Sequence, residues 1–528
     1  MNLTSMNPSG TSTLVSDFDS ARHLCLHLRL PFFPKIRSNF VSKPFFAIRF
    51  QFYCVWAGSV VFGVMAQSQG DAVSAQNVRI RLTTREVDLE IGETAPVLIP
   101  TSFRRYHLSQ YINSQLSLSK PVPFEIIVNG DYLRTSIDDY LSQNGISAEN
   151  TLTVEYIKAR IPPRYVASYQ HDDWVSDVSV GPGVHSAQPE ILTASYDGYL
   201  RIWDTSSRIK AMSAGASGAG HASVVKSARF VSPTMIASAS SDRTVKIWKY
   251  QDNDNESQAS LDPALDLYGH SGTVESVRTS GSNNRLLTAA SDHAVGLWST
   301  KKSEAPPVPD GLVPKIVMKD GKRRKLNPSV SVPQRGPLSM MRAHTAAVNE
   351  AIFDQNDPTI GYSCSMDHSV RTWDLVTGTA VDTRTTQSPL FCVTQLSEMS
   401  LLATGSASRD VKLVDPRASA TQIVAMTLKG HRNNVVALAR DPTNAYALAS
   451  GSHDGTVRIW DLRSTRSSKD GVVSQSIFTI SRESLQGKPV SNSGEGVKVF
   501  GLDWHSQLGL LSAGEDRIVQ VNSSNDIT

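Results

Sequence analysis

The stretch from Gly451 to Asp461 reads GSHDGTVRIWD, a small-residue turn carrying an acid and then an alternating strand that closes on Trp-Asp. Val457 and Ile459 fall on one face and Thr456, Arg458 and Trp460 on the other, because successive side chains of an extended chain point to opposite faces. Asp454 and Gly455 supply a short polar side chain and a residue tolerant of positive φ. The strand is therefore joined to the one before it by a tight turn. The unit returns as SYDGYLRIWD ending at Asp204, SSDRTVKIW ending at Trp248, ASDHAVGLW ending at Trp298 and SMDHSVRTWD ending at Asp374. Each of these five copies sets its acid six residues before the tryptophan: Asp197 and Trp203, Asp242 and Trp248, Asp292 and Trp298, Asp367 and Trp373, Asp454 and Trp460. A histidine lies 21 to 26 residues upstream of each acid, at His171, His221, His270, His344 and His431. Two degenerate copies bring the set to seven: SASRDVKLVD, with Ser408 and Val414 in the acid and tryptophan places, and GEDRIVQVN, with Asp516 and Asn522.

The steps between successive turns are 45, 50, 75, 41, 46 and 62 residues. This spacing, the Gly-His of Gly269-His270 and Gly430-His431, and the Trp-Asp ends resemble the WD-repeat family over residues 161–528. The resemblance implies a mainly β fold, a seven-bladed β-propeller with four strands to a blade. The strand RYVASYQ after Pro162-Pro163 is expected to complete the blade formed by residues 498–522 and so close the ring. Two insertions, 301–337 and 464–496, read as disordered loops, the first separating blades three and four. Within the first, Lys322, Arg323, Arg324 and Lys325 read as a nuclear localisation signal or a small RNA-touching patch. Copies five and seven lack both the upstream Gly-His and the tryptophan that ends the repeat, so weaker hydrogen-bond networks are expected there.

Residues 76–158 follow a different rhythm. NVRIRLTTR and APVLIP read as strands, and RRYHLSQYINSQL carries Leu108, Tyr111, Ile112 and Leu116 on one helical stripe. PFEIIVNGDYLR is a hairpin turning at Asn129-Gly130, Thr135 to Asp138 reads as a capping box for a short helix ending near Gly145, and TLTVEYI is a last strand. This order, with KPVPFEI and LRTSIDDYL, resembles the ubiquitin-like domain named after Notchless. With PPRYVASYQHDDWVSDV and LKGHRNNVVALA, the chain is most similar to the WD-repeat subunits of the PeBoW complex. The resemblance implies a non-enzymatic assembly factor for the large ribosomal subunit and pre-rRNA processing, in the nucleolus and nucleoplasm of the nucleus. It implies a block-of-proliferation-type partner propeller, pescadillo, pre-large-subunit particles, and the AAA ATPase midasin, which would engage the ubiquitin-like domain for remodelling and release. It also implies that one acid of that domain completes the coordination of midasin's metal. Glu149, in the loop GISAENT, matches that position, whereas Glu155 lies in the strand and Asp138 is read as a helix cap.

The 528 residues are 40% apolar with a formal charge of +3. Residues 1–64 hold six Lys and Arg against two acids, which leaves the remainder one charge negative. A near-neutral body argues against a general phosphate-backbone binder and leaves direct RNA contact open. The apolar run from Phe52 to Ala66 falls short of the roughly 20 residues that span a bilayer, so no membrane anchor is expected. The segment 1–75 reads as an extension, disordered or a mis-assigned start: residues 1–64 are either a basic, acid-poor transit peptide or sequence upstream of a true start at Met65, and the second reading is preferred. Cys25, Cys54, Cys364 and Cys392 show no metal or redox spacing and point to a reducing compartment.

His, Ser and Asp recur in every clear copy, but a catalytic constellation is made once, at a cleft. Repetition with a hydrogen-bonding tryptophan marks structure. No phosphate loop, nucleophile elbow or HExxH motif occurs. No enzyme activity, no cofactor and no metal held by the chain itself are expected. The acids Glu86, Asp88, Glu90 and Glu93 are expected to be solvated. Two other readings stand beside the scaffold: a Notchless-like assembly factor, which an eighth blade would support, and a WD-repeat substrate receptor of a ubiquitin ligase.

Overall fold

The computed structural model describes residues 76–92, 95–117, 120–183, 188–216, 219–252, 259–280, 284–308, 332–418, 423–468, 471–485 and 496–524. The expected extension 1–75 and the basic run Lys322 to Lys325 lie outside the described residues.

The N-terminal part runs β1 (Asn77–Thr83), β2 (Val97–Pro100), α1 (Arg105–Leu116), β3 (Phe124–Val128), β4 (Asp131–Tyr132), α2 (Ile137–Asn144) and β5 (Leu152–Lys158). The sheet order is β2-β1-β5-β3-β4 with β1 and β5 parallel, the mixed sheet of a ubiquitin-like fold. Val78, Ile80 and Leu82 of β1 point inward and pack on Leu108 and Ile112 of α1, with Tyr111 and Leu116 at the margin. Asn129 (φ 51°) and Gly130 (φ 89°) form the β3–β4 turn, in which both central residues need positive φ. The capping box sits one residue later than expected. Ser136 is the N-cap and Asp139 the reciprocal acid, while Asp138 lies in the first turn of α2 without capping it. The two frames overlap in sequence; Thr135 instead turns its hydroxyl to the Ser136 carbonyl.

Seven further sheets form the propeller among the described residues, each with strands a to d from the centre outward. Strand a of blades one to seven is Val175–Pro182, Val225–Ser232, Val274–Thr279, Val348–Phe353, Leu390–Leu396, Val435–Arg440 and Val499–His505. Strand d of blade seven is Arg164–Gln170, paired antiparallel with Ile518–Ser523 from Ile518↔Gln170 to Ser523↔Arg164. The strand ahead of blade one thus closes the ring. Each a strand packs on the next, and that of blade seven packs on that of blade one. The core lies between blades: Leu192 and Ala194 of blade one, for instance, pack with Ala228 and Trp248 of blade two.

Both insertions depart from the disorder expected of them where they are described. The first connects strand c to strand d of blade three, so it lies within that blade rather than between blades three and four. Its Gln334–Arg335 adds a parallel strand to the outer edge of blade two, Ser260–Tyr268. The second adds Gly471–Ser474 to the outer edge of blade five, Val424–Lys429, and then forms strand d of blade six, Ser476–Ser481. An outermost strand presents unpaired N–H and C=O groups, and a neighbour's long connection can satisfy them. Polar composition reads as loop, but backbone pairing does not depend on it.

Candidate functional site

In blades two, three, four and six the repeat residues form one buried relay. His221 Nδ1 lies 2.9 Å from Asp242, its Nε2 lies 2.7 Å from Ser238 Oγ, and Trp248 Nε1 donates to that hydroxyl at 2.8 Å. His270, Asp292, Thr288 and Trp298 repeat the arrangement, as do His344, Asp367, Ser363 and Trp373. In blade six His431 meets Asp454 at 3.0 Å and Ser450 at 2.7 Å, and Trp460 donates to Ser450 at 2.8 Å. Burial pushes the His221, His344 and His431 imidazoles below their ordinary value, against the pull of the paired acid. Burial alone would raise the carboxylates, but hydrogen bonds from the histidine, the turn hydroxyl and backbone N–H groups outweigh it. Asp242, Asp367 and Asp454 are all held well below the usual range. The relay ties strand to strand with every polar group used.

The other three blades solve the same problem differently. In blade one, His171 reaches Thr193 at 2.8 Å and Trp203 donates to the same hydroxyl at 3.0 Å, but Asp197 pairs with Arg201 at 2.7 Å instead of with the histidine. In blade five a chain of hydroxyls, Ser388 to Ser408 at 3.0 Å and Ser408 to Ser406 at 2.7 Å, leads to Asp410. Blade seven overturns the expected weakness. Arg482, 1% exposed, donates to Asp516 from Nε at 3.0 Å, to Ser512 Oγ at 2.8 Å and to the Ile518 carbonyl at 2.6 Å. It occupies the place of the missing histidine. The signal was an arginine 34 residues before the acid, inside a segment read as loop.

The b–c turns share one face with the d–a loops, since Asp242 in a turn bonds His221 in a loop. Each turn also clasps the start of an a strand, as Tyr196 N–H does the Trp174 carbonyl at 2.8 Å. On this face the mouth of the ring is two-sided. Ser176, Lys226, Glu275 and Asn349 stand at the rims of blades one to four, and Phe391, Val436 and Phe500 at those of five to seven. Half-buried Trp174, Tyr196, Phe500 and His453 form a cluster, with ring centroids 5.4 Å apart for Trp174–Tyr196 and 5.9 Å for Tyr196–Phe500 and for His453–Phe500. The Lys226 ammonium sits 5.3 Å from the centre of the Tyr196 ring.

The ubiquitin-like domain is seated on blade six. Ile127 and Ile157 lie on the sheet face turned away from its own helices and are 1% and 3% exposed, so the propeller side covers them. Burying two such side chains contributes about 1.5–3 kcal/mol each. Around them Tyr132 donates to Asp461 at 3.1 Å, Arg160 pairs with Asp441 at 2.7 Å, Arg466 pairs with Asp131, and Thr465 N–H donates to the Gly130 carbonyl at 2.8 Å. A Cβ at Gly130 would stand 2.5 Å from the Thr465 oxygen, so glycine serves both the turn and the dock. Glu86, expected to be solvated, pairs with buried Arg463 at 3.4 Å. Glu155 lies in β5 and pairs with Arg85 at 3.1 Å. Glu149 is exposed on the loop between α2 and β5. Its N–H donates to Ser147 Oγ at 3.3 Å, and its carboxylate has no partner among the described residues.

A ubiquitin-like domain seated on a closed ring of repeat blades defines a class, the WD-repeat propellers with a Notchless-type leader domain. The NLE (NUC135) domain family matches residues 78–141, and the WD domain, G-beta repeat, family matches residues 164–204, 216–249, 262–299, 335–374 and 423–461. Two relatives, both named ribosome biogenesis protein YTM1, are similar over nearly their whole length. That of Ajellomyces capsulatus is 53% identical over 462 residues, covering 86% of this chain and 94% of its own. That of Aspergillus oryzae is 50% identical over 479 residues, covering 88% and 98%. The solved WD40 propeller of Doa1 covers 69% of this chain and 98% of its own at 17% identity with a TM-score of 0.48, a likeness too low to bear on function. The chain belongs to the YTM1 family of ribosome biogenesis proteins, which is where its sequence resemblance pointed.

Proposed function

We propose that the protein is a non-enzymatic scaffold of large-subunit assembly that joins a partner propeller to a remodelling ATPase. The aromatic cluster around Trp174, Tyr196 and Phe500 docks a block-of-proliferation-type propeller, and through it pescadillo, on pre-large-subunit particles. Large, rigid aromatic side chains that are half-buried on a free face are the usual anchors of such interfaces. Glu149 donates its carboxylate to the metal of midasin, a hard cation that exchanges a water for an oxygen ligand. The observation that carries this reading is the placement of Glu149: an exposed carboxylate with no partner among the described residues, in a domain whose opposite sheet face is seated on blade six. Lys322, Arg323, Arg324 and Lys325 direct the chain to the nucleus, where it works in the nucleolus and nucleoplasm.

A titration of the full chain against midasin's metal-binding domain, with Mg²⁺ and with chelator, tests the role of Glu149. The wild type should bind only with the metal, Glu149→Ala should fail to bind while keeping its thermal midpoint, and Glu149→Asp should bind more weakly. Metal-dependent binding by the alanine variant equal to wild type removes Glu149 from the contact. Recovery of cullin without pre-ribosomal proteins in a pull-down would favour the ubiquitin-ligase receptor instead.

A further inference from the structure

Each b–c turn of the propeller holds one residue in the left-handed region. These are Gly198 (φ 85°), Arg243 (70°), His293 (66°), His368 (68°), Arg409 (68°), Gly455 (77°) and Arg517 (64°). Glycine adopts this conformation without strain, and any other residue does so at a cost. Glycine is kept at blade one, where a Cβ would stand 3.2 Å from the Ser223 carbonyl, and at blade six, where it would stand 2.9 Å from Leu485. The five turns that carry a side chain all carry arginine or histidine. Four of those side chains are exposed and that of His368 is half-buried. Those of Arg243, Arg409 and Arg517 make no hydrogen bond or ion pair with any described residue, so they return nothing to the fold for the strain they add. Strain kept without structural return points to function.

The distribution is also uneven. The two glycine turns belong to the blades on either side of Phe500, where Trp174, Tyr196 and His453 gather. The turns that carry arginine or histidine follow round the remaining arc from blade two to blade five, with Arg517 at blade seven. We propose that this rim, charged by Arg243, Arg409 and Arg517, receives an acidic protein surface whose apolar anchor seats among Trp174, Tyr196 and Phe500. The inference rests on the reading that this face docks a partner protein, and adds the charge that the partner must present. A protein is favoured over RNA because Asp172, Glu275 and Glu515 share the face, and the chain beyond residue 64 is one charge negative overall. A phosphate-backbone binder needs a continuous positive surface.

The test replaces the three arginines by the residue their backbone prefers, Arg243→Gly, Arg409→Gly and Arg517→Gly together in the full chain. The variant should keep or raise its thermal midpoint, since the strain is relieved. A polyglutamate peptide titrated at low salt should bind it about ten-fold more weakly than wild type, with a shallower salt dependence. Unchanged polyglutamate binding overturns the proposal, as does wild type binding a uridine homopolymer more tightly than polyglutamate. The partner propeller is titrated in parallel. Wild type that binds polyglutamate through the rim but not the partner propeller leaves the rim standing and removes the docking reading. A partner propeller bound equally by both proteins does the reverse.

Discussion

Blades six and seven face the same task with different residues. In blade six, His431 bridges Asp454 and Ser450, and Trp460 closes the relay from the third strand. In blade seven, the single fork of Arg482 reaches acid, hydroxyl and carbonyl, and neither the histidine nor the tryptophan of the relay is present. The comparison teaches that the repeat conserves a function, the satisfaction of a buried acid and hydroxyl between strands, and that residue type is one of several ways to meet it. The two solutions differ in charge. Histidine is neutral when buried and can titrate, whereas arginine stays charged and cannot.

Removing the arginine should have the largest effect. Arg482→Ala leaves Asp516 buried without its cation and should cost about 3–5 kcal/mol, read as a fall in the denaturant midpoint. Arg482→Lys, which keeps the charge and loses the fork, should fall between that variant and wild type. Asp454→Ala in blade six takes hydrogen bonds from His431, Arg432 and Thr456, and should cost about 1.5–3 kcal/mol by the same measurement. An Asp454→Ala cost greater than that of Arg482→Ala would show the histidine relay to be the stronger device.

Acid separates the two blades more finely. His431 is held below its ordinary value by burial, so as pH falls past about 6.5 the opened chain takes up a proton that the folded one refuses. Stability is lost from there downward. Hydrogen exchange of the Ser450 amide should quicken by about ten-fold relative to that of Ser512 between about pH 7 and pH 5. Equal changes at the two sites would mean that the histidine titrates freely in the folded ring. His171, lowered to about 4 by burial and Arg201, should extend the loss to lower pH. The smallest effect belongs to blade five. Ser408→Ala removes one exposed member of a hydroxyl chain and should shift stability by less than about 1 kcal/mol.

Much of the candidate site was legible because its signals are local. The acid–tryptophan spacing falls within one hairpin, and the histidine lies just ahead of the same blade's first strand, so a short window contains the whole relay in blades two, three, four and six. Glu149 was placed on a loop by the strand and helix that flank it. Arg482 was not legible, since it belongs to no repeat pattern and lies inside an insertion, two strands ahead of its partner Asp516. The seating of the ubiquitin-like domain was hidden for a similar reason. Ile127 and Ile157 read as ordinary alternating strand residues, and nothing nearby says that the propeller covers their face of the sheet.

By itself the amino-acid sequence determined the number of blades, the strand that closes the ring, the order of elements in the N-terminal domain and the residues of the repeated relay. All of these follow from periodicity, turn chemistry and spacing within a few tens of residues. Tertiary structure alone decided that both insertions pair with a neighbouring blade, that an arginine stands in for a histidine, and that three arginine-bearing turns share a face with an aromatic cluster. Those outcomes depend on which open strand edge, buried acid or exposed turn another part of the chain comes to lie beside, and such proximity is a property of the closed ring.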